Sequence, residues 1–338
     1  MTNGTPPSAS SELPMDLGDA ELNRRIAEGM GSVEAELRER LSVGEEFITD
    51  KVTHLVKAGG KRFRPLVALL CSEFGANPGA PKVVKGAVIA EMVHLATLYH
   101  DDVMDEADKR RGVDSANHRW GNTVAILAGD ILFAHASRIM SEIDTETVRH
   151  FADTFAQLVT GQMRETVGPR GADPVEHYLK VIEEKTGVLI ASSGYLGARL
   201  SGAEDAVVRH CEAIGGAIGM VFQIVDDIID IFSTTAESGK VPGTDLREGV
   251  FTLPVLYALR EDSPAAEELR GLLTGPLERD EDVARALELI ARTKGREHAL
   301  NDVHRYLSLA TWHLDALPDI PANQALRQLC RYTVERVG

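Results

Sequence analysis

From Asp19 onward, apolar residues return every three to four positions in one run after another, the period of helices that bury a single face. Asp19 to Leu41 and Glu45 to Lys57 are amphipathic, and the second run stops at Gly59-Gly60. Pro65 opens an apolar helix reaching Phe74, since proline is well tolerated in a first helical turn. Pro81 to about Lys109 reads as one long helix ended near Gly112, followed by helices over Asn122 to Ile143, Thr145 to Glu165, Pro174 to Leu200 and Ala203 to Phe232. Ser233 to Glu248, rich in Gly, Ser, Thr and charge, reads as a loop. From Phe251 shorter amphipathic helices follow, broken near Pro264, Pro276, Gly295 and Pro321. Alternating apolar runs bounded by turn residues are absent, so no strand is predicted. The expectation is an all-α fold, a bundle of about a dozen helices around a central cavity. Residues 18–338 are expected to form a single domain behind a tail over 1–17.

Two of these apolar helices are interrupted by the same pattern, Asp101-Asp102-Val103-Met104-Asp105 and Asp226-Asp227-Ile228-Ile229-Asp230. Ala90 to Tyr99 and Ala217 to Val225 are largely apolar just upstream. Unpaired carboxylates on buried helical faces are costly unless something compensates them. The first and last acid of each set stand one turn apart, about 6 Å between Cβ atoms. Three carboxylates at that spacing repel one another, and a divalent cation relieves the repulsion. Hard oxygen donors without neighbouring Cys or His point to Mg²⁺ rather than zinc.

Composition narrows the function further. The chain has 338 residues, 43% hydrophobic and only 5% aromatic, with a formal net charge of −16. That charge opposes nonspecific nucleic-acid binding, and an acidic substrate would need metal bridges or a local basic cluster. Cys71, Cys211 and Cys330 are far apart with no metal-ligand spacing, which suits reduced thiols in a cytoplasmic protein. Met1 to Pro14 is Ser/Pro-rich without a basic or apolar leader segment, so a disordered tail is expected. The most apolar stretch, Ala213 to Ile231, contains Gln223, Asp226, Asp227 and Asp230, so no transmembrane segment is expected.

Local basic clusters are present. Gly59-Gly60-Lys61-Arg62-Phe63-Arg64-Pro65 lies at a predicted helix start, where free N–H groups and cationic side chains favour an anion. Arg110-Arg111-Gly112 follows the first acid cluster, Lys185-Thr186-Gly187 interrupts an apolar helix, and Gly239-Lys240 follows the second cluster. Each basic pair alone would be solvated surface. With two metal-binding carboxylate sets they form sites for two polyanions.

The order Gly60-Lys61-Arg62-Phe63-Arg64-Pro65, His94, Asp101 to Asp105, Arg110-Arg111-Gly112, Gly129-Asp130, Gly161-Gln162, Lys185-Thr186, Gln223 to Asp230, Gly239-Lys240 and Gly243-x-Asp245-Leu246 resembles the trans-isoprenyl diphosphate synthases over about residues 55 to 255. The resemblance implies head-to-tail condensation of isopentenyl diphosphate with an allylic diphosphate in a homodimer, with three Mg²⁺ ions per active site. It gives Asp101, Asp105 and Asp226 direct metal contacts, helped directly or through water by Asp102, Asp227 and Asp230. Arg110, Lys185 and Lys240 would add charge at the allylic diphosphate. Lys61, Arg64, His94 and Arg111 would hold isopentenyl diphosphate, and the released pyrophosphate would take the final proton. Thr186 and Gln223 suit the support of a carbocation, since neutral dipoles do not trap it, and Gln223 shares a helix face with Asp226. A cytoplasmic location with transient membrane contact for product release follows from the same resemblance.

The growing chain is expected to pass Ala96 and Thr97, just upstream of the first cluster. A small Ala96 suits products longer than geranylgeranyl, and a short-chain synthase is the alternative. Glu248-Gly249-Val250-Phe251-Thr252-Leu253-Pro254 departs from the family's usual pattern by placing Val250 where a lysine is usual. Val250 is the one hint toward a noncatalytic subunit of a heteromeric synthase, against which both acid clusters are intact. Terpene cyclases usually replace the second cluster and need no Gly-Lys-Arg-x-Arg-Pro segment, and membrane prenyltransferases need several spans.

Overall fold

The computed structural model describes residues 13, 15–42, 44–233 and 241–335. The chain gathers into two compact units, one of residues 1–152, 192–212 and 318–326, the other of residues 153–191, 213–317 and 327–338.

The first unit is built on α5, Pro81–Met104, which opens with proline in its first turn and is buried on nearly every side. Val88, Ile89, Met92, Val93, Leu95 and Ala96 are all within 1% of complete burial. A helix this apolar needs neighbours all round. Helices α1, Ala20–Leu41, α4, Phe63–Ser72, and α7, Asn122–Ser141, supply them. Asp19 starts α1 by accepting from the Leu22 N–H at 2.8 Å. Short helices α2, Glu46–Val52, α3, His54–Lys57, and α6, Ala116–Trp120, complete this part of the unit.

Two sequence expectations differ here. The long helix ends at Met104, short of Lys109, because Glu106 takes a left-handed conformation (φ +50°) and turns the chain. A hairpin follows, β1 at Lys109–Arg110 pairing antiparallel with β2 at Val113–Asp114 about Arg111 and Gly112, both at positive φ. Strands of two residues leave no alternating pattern to read, which is why none was predicted. Helix α7 is long and apolar enough to cross a membrane by length and composition, although here it packs along α5. As for the tail, residues 1–12 and 14 lie outside the described residues, while Leu17 is buried and Asp16 accepts from Asn23 at 2.6 Å.

Helices α8, Thr145–Val167, α10, Val188–Leu200, and α11, Asp205–Phe232, contribute residues to each unit. Within the first unit, Gly197 of α10 lies so close to α4 that a Cβ there would sit 1.9 Å from the Ala68 carbonyl oxygen. In the second unit, α9, Pro174–Ile182, leads into a π-helical turn at Glu183–Gly187 before α10 begins. The predicted single helix from Pro174 to Leu200 is thus interrupted at Lys185-Thr186. Val175, Ile182, Val221, Ile224, Val225 and Ile228 form one core of this unit, and Leu246, Val255, Leu269, Val283 and Leu289 belong to another. The predicted loop before Phe251 contains a short helix at Thr244–Glu248, and residues 234–240 lie outside the described residues.

Candidate active site

In the first unit, the basic segment Gly59 to Pro65 and the Arg110-Arg111 segment meet around a buried carboxylate, Glu91. Arg62 is 7% exposed with a left-handed backbone (φ +48°), so its side chain turns inward from the start of α4. Its Nη1 donates to Glu91 Oε1 at 2.9 Å, its Nη2 to the Val56 carbonyl at 3.2 Å, and its Nε to Glu34 of α1. Arg111, at the tip of the hairpin, donates to the carbonyls of Gly59 and Leu55 and lies 3.7 Å from the same Glu91 oxygen. Gly60 has a φ of +146°, which strains any side chain, and a Cβ there would lie 2.9 Å from Arg111 Cζ and push the guanidinium aside.

Arg64 is turned into the same region, and its buried Nε has no hydrogen-bond partner. Burial, together with the nearby Arg111 charge, pulls its guanidinium down to about 10, against the opposing effect of Glu91. Burial and then Arg64 and Arg111 hold His94 well below the ordinary imidazole range, so it is neutral at pH 7. The structure therefore brings Arg64, His94 and Arg111 into one electrostatic neighbourhood, while Lys61 stands exposed beside it. Sequence reasoning missed Glu91 and Arg62. Their signal was present: Glu91 is a lone acid in an apolar run, the same energetic oddity that marked the Asp clusters.

Of the first cluster, Asp101 is half-buried and Asp105 exposed, whereas Asp102 is completely buried. Arg110 Nε donates to Asp102 Oδ1 at 2.6 Å, and Asp102 Oδ2 has no hydrogen-bond partner. Burial raises the Asp102 carboxyl, and Arg110 partly offsets this. Ala96 is fully buried, and Thr97 returns its hydroxyl to the His94 carbonyl at 2.9 Å.

In the second unit, the second cluster is similarly divided. Asp226 is half-buried and Asp227 is 2% exposed. Tyr178 donates to Asp227 Oδ2 at 2.8 Å, and Gln223 Nε2 donates to Oδ1 at 3.1 Å. Burial pushes the Asp227 carboxyl up to about 7 despite these donors. Asp230 accepts from the N–H groups of Thr244 at 3.1 Å and Asp245 at 3.2 Å, fixing the chain where it returns after the cluster. Asp102, Asp227 and Asp230, expected to help the metal ions directly or through water, thus each have protein partners as well. Among the described residues no three His, Cys, Asp or Glu side chains are grouped so as to hold a metal ion.

The π-helical turn sets the remaining residues. Val188 N–H bonds the Glu183 carbonyl five residues back, so the turn is wider than an α-turn. Thr186 Oγ1 donates to Gln223 Oε1 at 3.1 Å, and Lys185 Nζ pairs with Glu165 of α8. A Cβ on Gly161 would sit 2.6 Å from that of Glu184, so this glycine admits α8 against the turn. Val250 is 38% exposed, and Lys240 lies outside the described residues.

A family model described as polyprenyl synthetase matches residues 45–290. A nonaprenyl diphosphate synthase of Mycobacterium tuberculosis is 51% identical over 325 residues, covering 96% of this chain and 97% of that protein. A heptaprenyl diphosphate synthase component 2 of Geobacillus stearothermophilus is 36% identical, covering 92% of this chain and 97% of its own. The crystal structure of a geranylgeranyl pyrophosphate synthase from Corynebacterium glutamicum, complexed with calcium and isoprenyl diphosphate, is 60% identical with a TM-score of 0.88, over 96% of this chain and 100% of that one. The chain belongs to the polyprenyl synthetase family: it is a prenyltransferase with an all-α fold.

Proposed function

We propose that the protein is an all-trans polyprenyl diphosphate synthase, joining isopentenyl diphosphate head-to-tail to an allylic diphosphate and releasing pyrophosphate. The observation that carries this reading is the pair of cations, Arg64 and Arg111, gathered beside His94 in a family member that retains both acid clusters. The buried Arg64 Nε, without a protein acceptor, suits a diphosphate oxygen. Lys61, at the rim, adds charge to the same subsite. Isopentenyl diphosphate bound there keeps its double bond free to attack. His94 offers a ring N–H to the same diphosphate.

The acids offer only hard oxygen donors, and the unpartnered Asp102 Oδ2 is a buried acceptor, so the donor set fits Mg²⁺ by its chemistry rather than as a preformed ligand sphere. Asp101, Asp105 and Asp226 would hold the ions, three per site, with Asp102, Asp227 and Asp230 supporting them. When bound, Mg²⁺ supplies Lewis-acid stabilisation of the departing diphosphate. Arg110, Lys185 and Lys240 add positive charge for the same group. Asp102 orients Arg110 for that task, and Glu165 orients Lys185. The lone pairs of Thr186 and Gln223 stabilise the allylic cation as dipoles. Released pyrophosphate accepts the final proton.

The product is longer than geranylgeranyl, a reading supported by the small Ala96, Thr97 beside it, and the nonaprenyl relative. A geranylgeranyl product is the second reading, favoured by the Corynebacterium glutamicum relative. The family match runs through both compact units, which supports one synthase domain over 18–338. Exposed Phe47 and Leu127, lining an apolar groove of about 340 Å³ with Ile48, Val124 and Ile131, support a homodimer, and the free, buried Cys71, Cys211 and Cys330 suit a reducing cytoplasm. Incubation with isopentenyl diphosphate, Mg²⁺ and farnesyl or geranylgeranyl diphosphate, followed by product sizing, tests the reading. No elongation from any allylic primer overturns the synthase, and products ending at geranylgeranyl decide for the second reading.

A further inference from the structure

Three arginines of the isopentenyl diphosphate subsite share one buried acid. Glu91 is 1% exposed, and both Arg62 and Arg111 are directed at its Oε1, at 2.9 and 3.7 Å. Its charge also acts on Arg64. Arg62 is too buried to serve as an open anion-binding arm. Its donors are taken up by Val56, Glu91 and Glu34, with a long contact to the Gly59 carbonyl at 3.5 Å. Arg111 bonds Gly59 and Leu55 in the same loop. Two guanidinium groups therefore tie the segment from Leu55 to Gly59, and both are anchored at Glu91. One carboxylate cannot balance two desolvated cations, and Glu34 supplies the second acid. Glu34 lies on α1, which precedes the residues matched by the family model.

We propose that Glu91 and Glu34 are positioning residues of the isopentenyl diphosphate subsite. Glu91 fixes the Arg111 guanidinium, and Glu34 with Glu91 clamps Arg62 so that the Gly59-Gly60 loop holds Arg64 and Arg111 toward the diphosphate. The inference rests on the reading of that subsite given above, and it makes α1 part of the apparatus for substrate binding. Arg62 then acts through the loop, and its long side chain is a brace rather than a ligand.

The test uses the full chain and isopentenyl diphosphate alone in EDTA, with binding measured by calorimetry, alongside steady-state KM values for both substrates in Mg²⁺. Glu91→Gln should weaken isopentenyl diphosphate binding about tenfold and raise its KM by a similar factor, leaving the allylic KM within about twofold. Glu34→Gln, at a site 24% exposed, should keep the fold and weaken binding about threefold. The double variant should lose less than the product of the two, because both acids hold Arg62. Glu91→Asp should recover part of the affinity lost in Glu91→Gln. A lowered melting temperature with both KM values unchanged, or raised equally, overturns the proposal and leaves a structural role only. If Glu91→Gln does not fold, unchanged affinity in Glu34→Gln overturns it. A wild-type protein that binds no isopentenyl diphosphate overturns the subsite reading itself.

Discussion

Thr186 Oγ1 stands 3.1 Å from Gln223 Oε1, joining the π-helical turn to the helix of the second acid cluster. The hydroxyl donates to the amide carbonyl, while the amide nitrogen donates to Asp227. The orientation of Gln223 is thereby fixed at both ends. Thr186→Val keeps the shape and removes the donor. If the pair serves the cation and not the ground state, the substitution should lower kcat about tenfold with little change in either KM. Single-turnover kinetics with a saturating allylic substrate check this, and an unchanged rate of the chemical step would sink it.

Asp101→Ala and Asp226→Ala should each remove turnover by a factor of about a thousand or more, if acids at these positions hold the ions that stabilise the leaving group. Neither residue is fully buried, so melting curves should remain cooperative and near those of the wild type. EDTA should abolish wild-type activity, with recovery on Mg²⁺ addition. Retained turnover in either variant refutes the metal assignment.

Gly197→Ala should be among the most destabilising single-methyl additions in the chain. The added Cβ would meet the Ala68 backbone, at 1.9 Å from oxygen and 2.7 Å from carbon, so α4 and α10 would have to part. A cost of about 3 kcal/mol is expected for such overpacking. Urea denaturation measures it, and a loss below about 1 kcal/mol would show that the helices can separate freely.

Asp144 carries a pH dependence whose sign is fixed. Burial raises its carboxyl, but the Thr147 N–H, Arg199 and the Thr147 hydroxyl outweigh that and hold it down at about 2, below its ordinary 3.8. The unfolded chain therefore binds the proton more readily. The stabilisation is fully present above the unfolded value and is lost as pH falls toward the folded one. The side chain is 43% exposed, so solvent screening keeps the effect modest. Asp144→Ala should melt a few degrees below wild type at neutral pH, and the gap should begin to narrow near about pH 5 and go on narrowing down to about pH 2. A gap independent of pH would contradict the assignment.

The helices and both acid clusters were legible in the sequence because each is local: a 3.6-residue apolar period, and acids one turn apart on an otherwise apolar face. Thr186 and Gln223 were legible as a pair of neutral groups among apolar ones, though not as bonded partners. The tie between Tyr178 and Asp227 was not, since 49 residues separate them and a tyrosine on an amphipathic helix carries no mark of its partner. The division of labour within each Asp triplet was equally hidden. Spacing places three carboxylates on one helix, while the surrounding helices decide that Asp102 and Asp227 are buried. The hairpin that aims Arg110 and Arg111 is too short to leave a period at all.

The turn at Glu183–Gly187 has the form of a helix holding one residue more than its ladder needs. Deleting a residue there would regularise the hydrogen bonding and raise local helical order. It would also rotate everything before the turn by about 100° against everything after it. Lys185 and Thr186 would no longer address Glu165 and Gln223 together. Natural or engineered variants shortened by one residue in this turn should therefore be better helices and poorer enzymes, an opposition between local regularity and chemistry that no point substitution in the turn would produce.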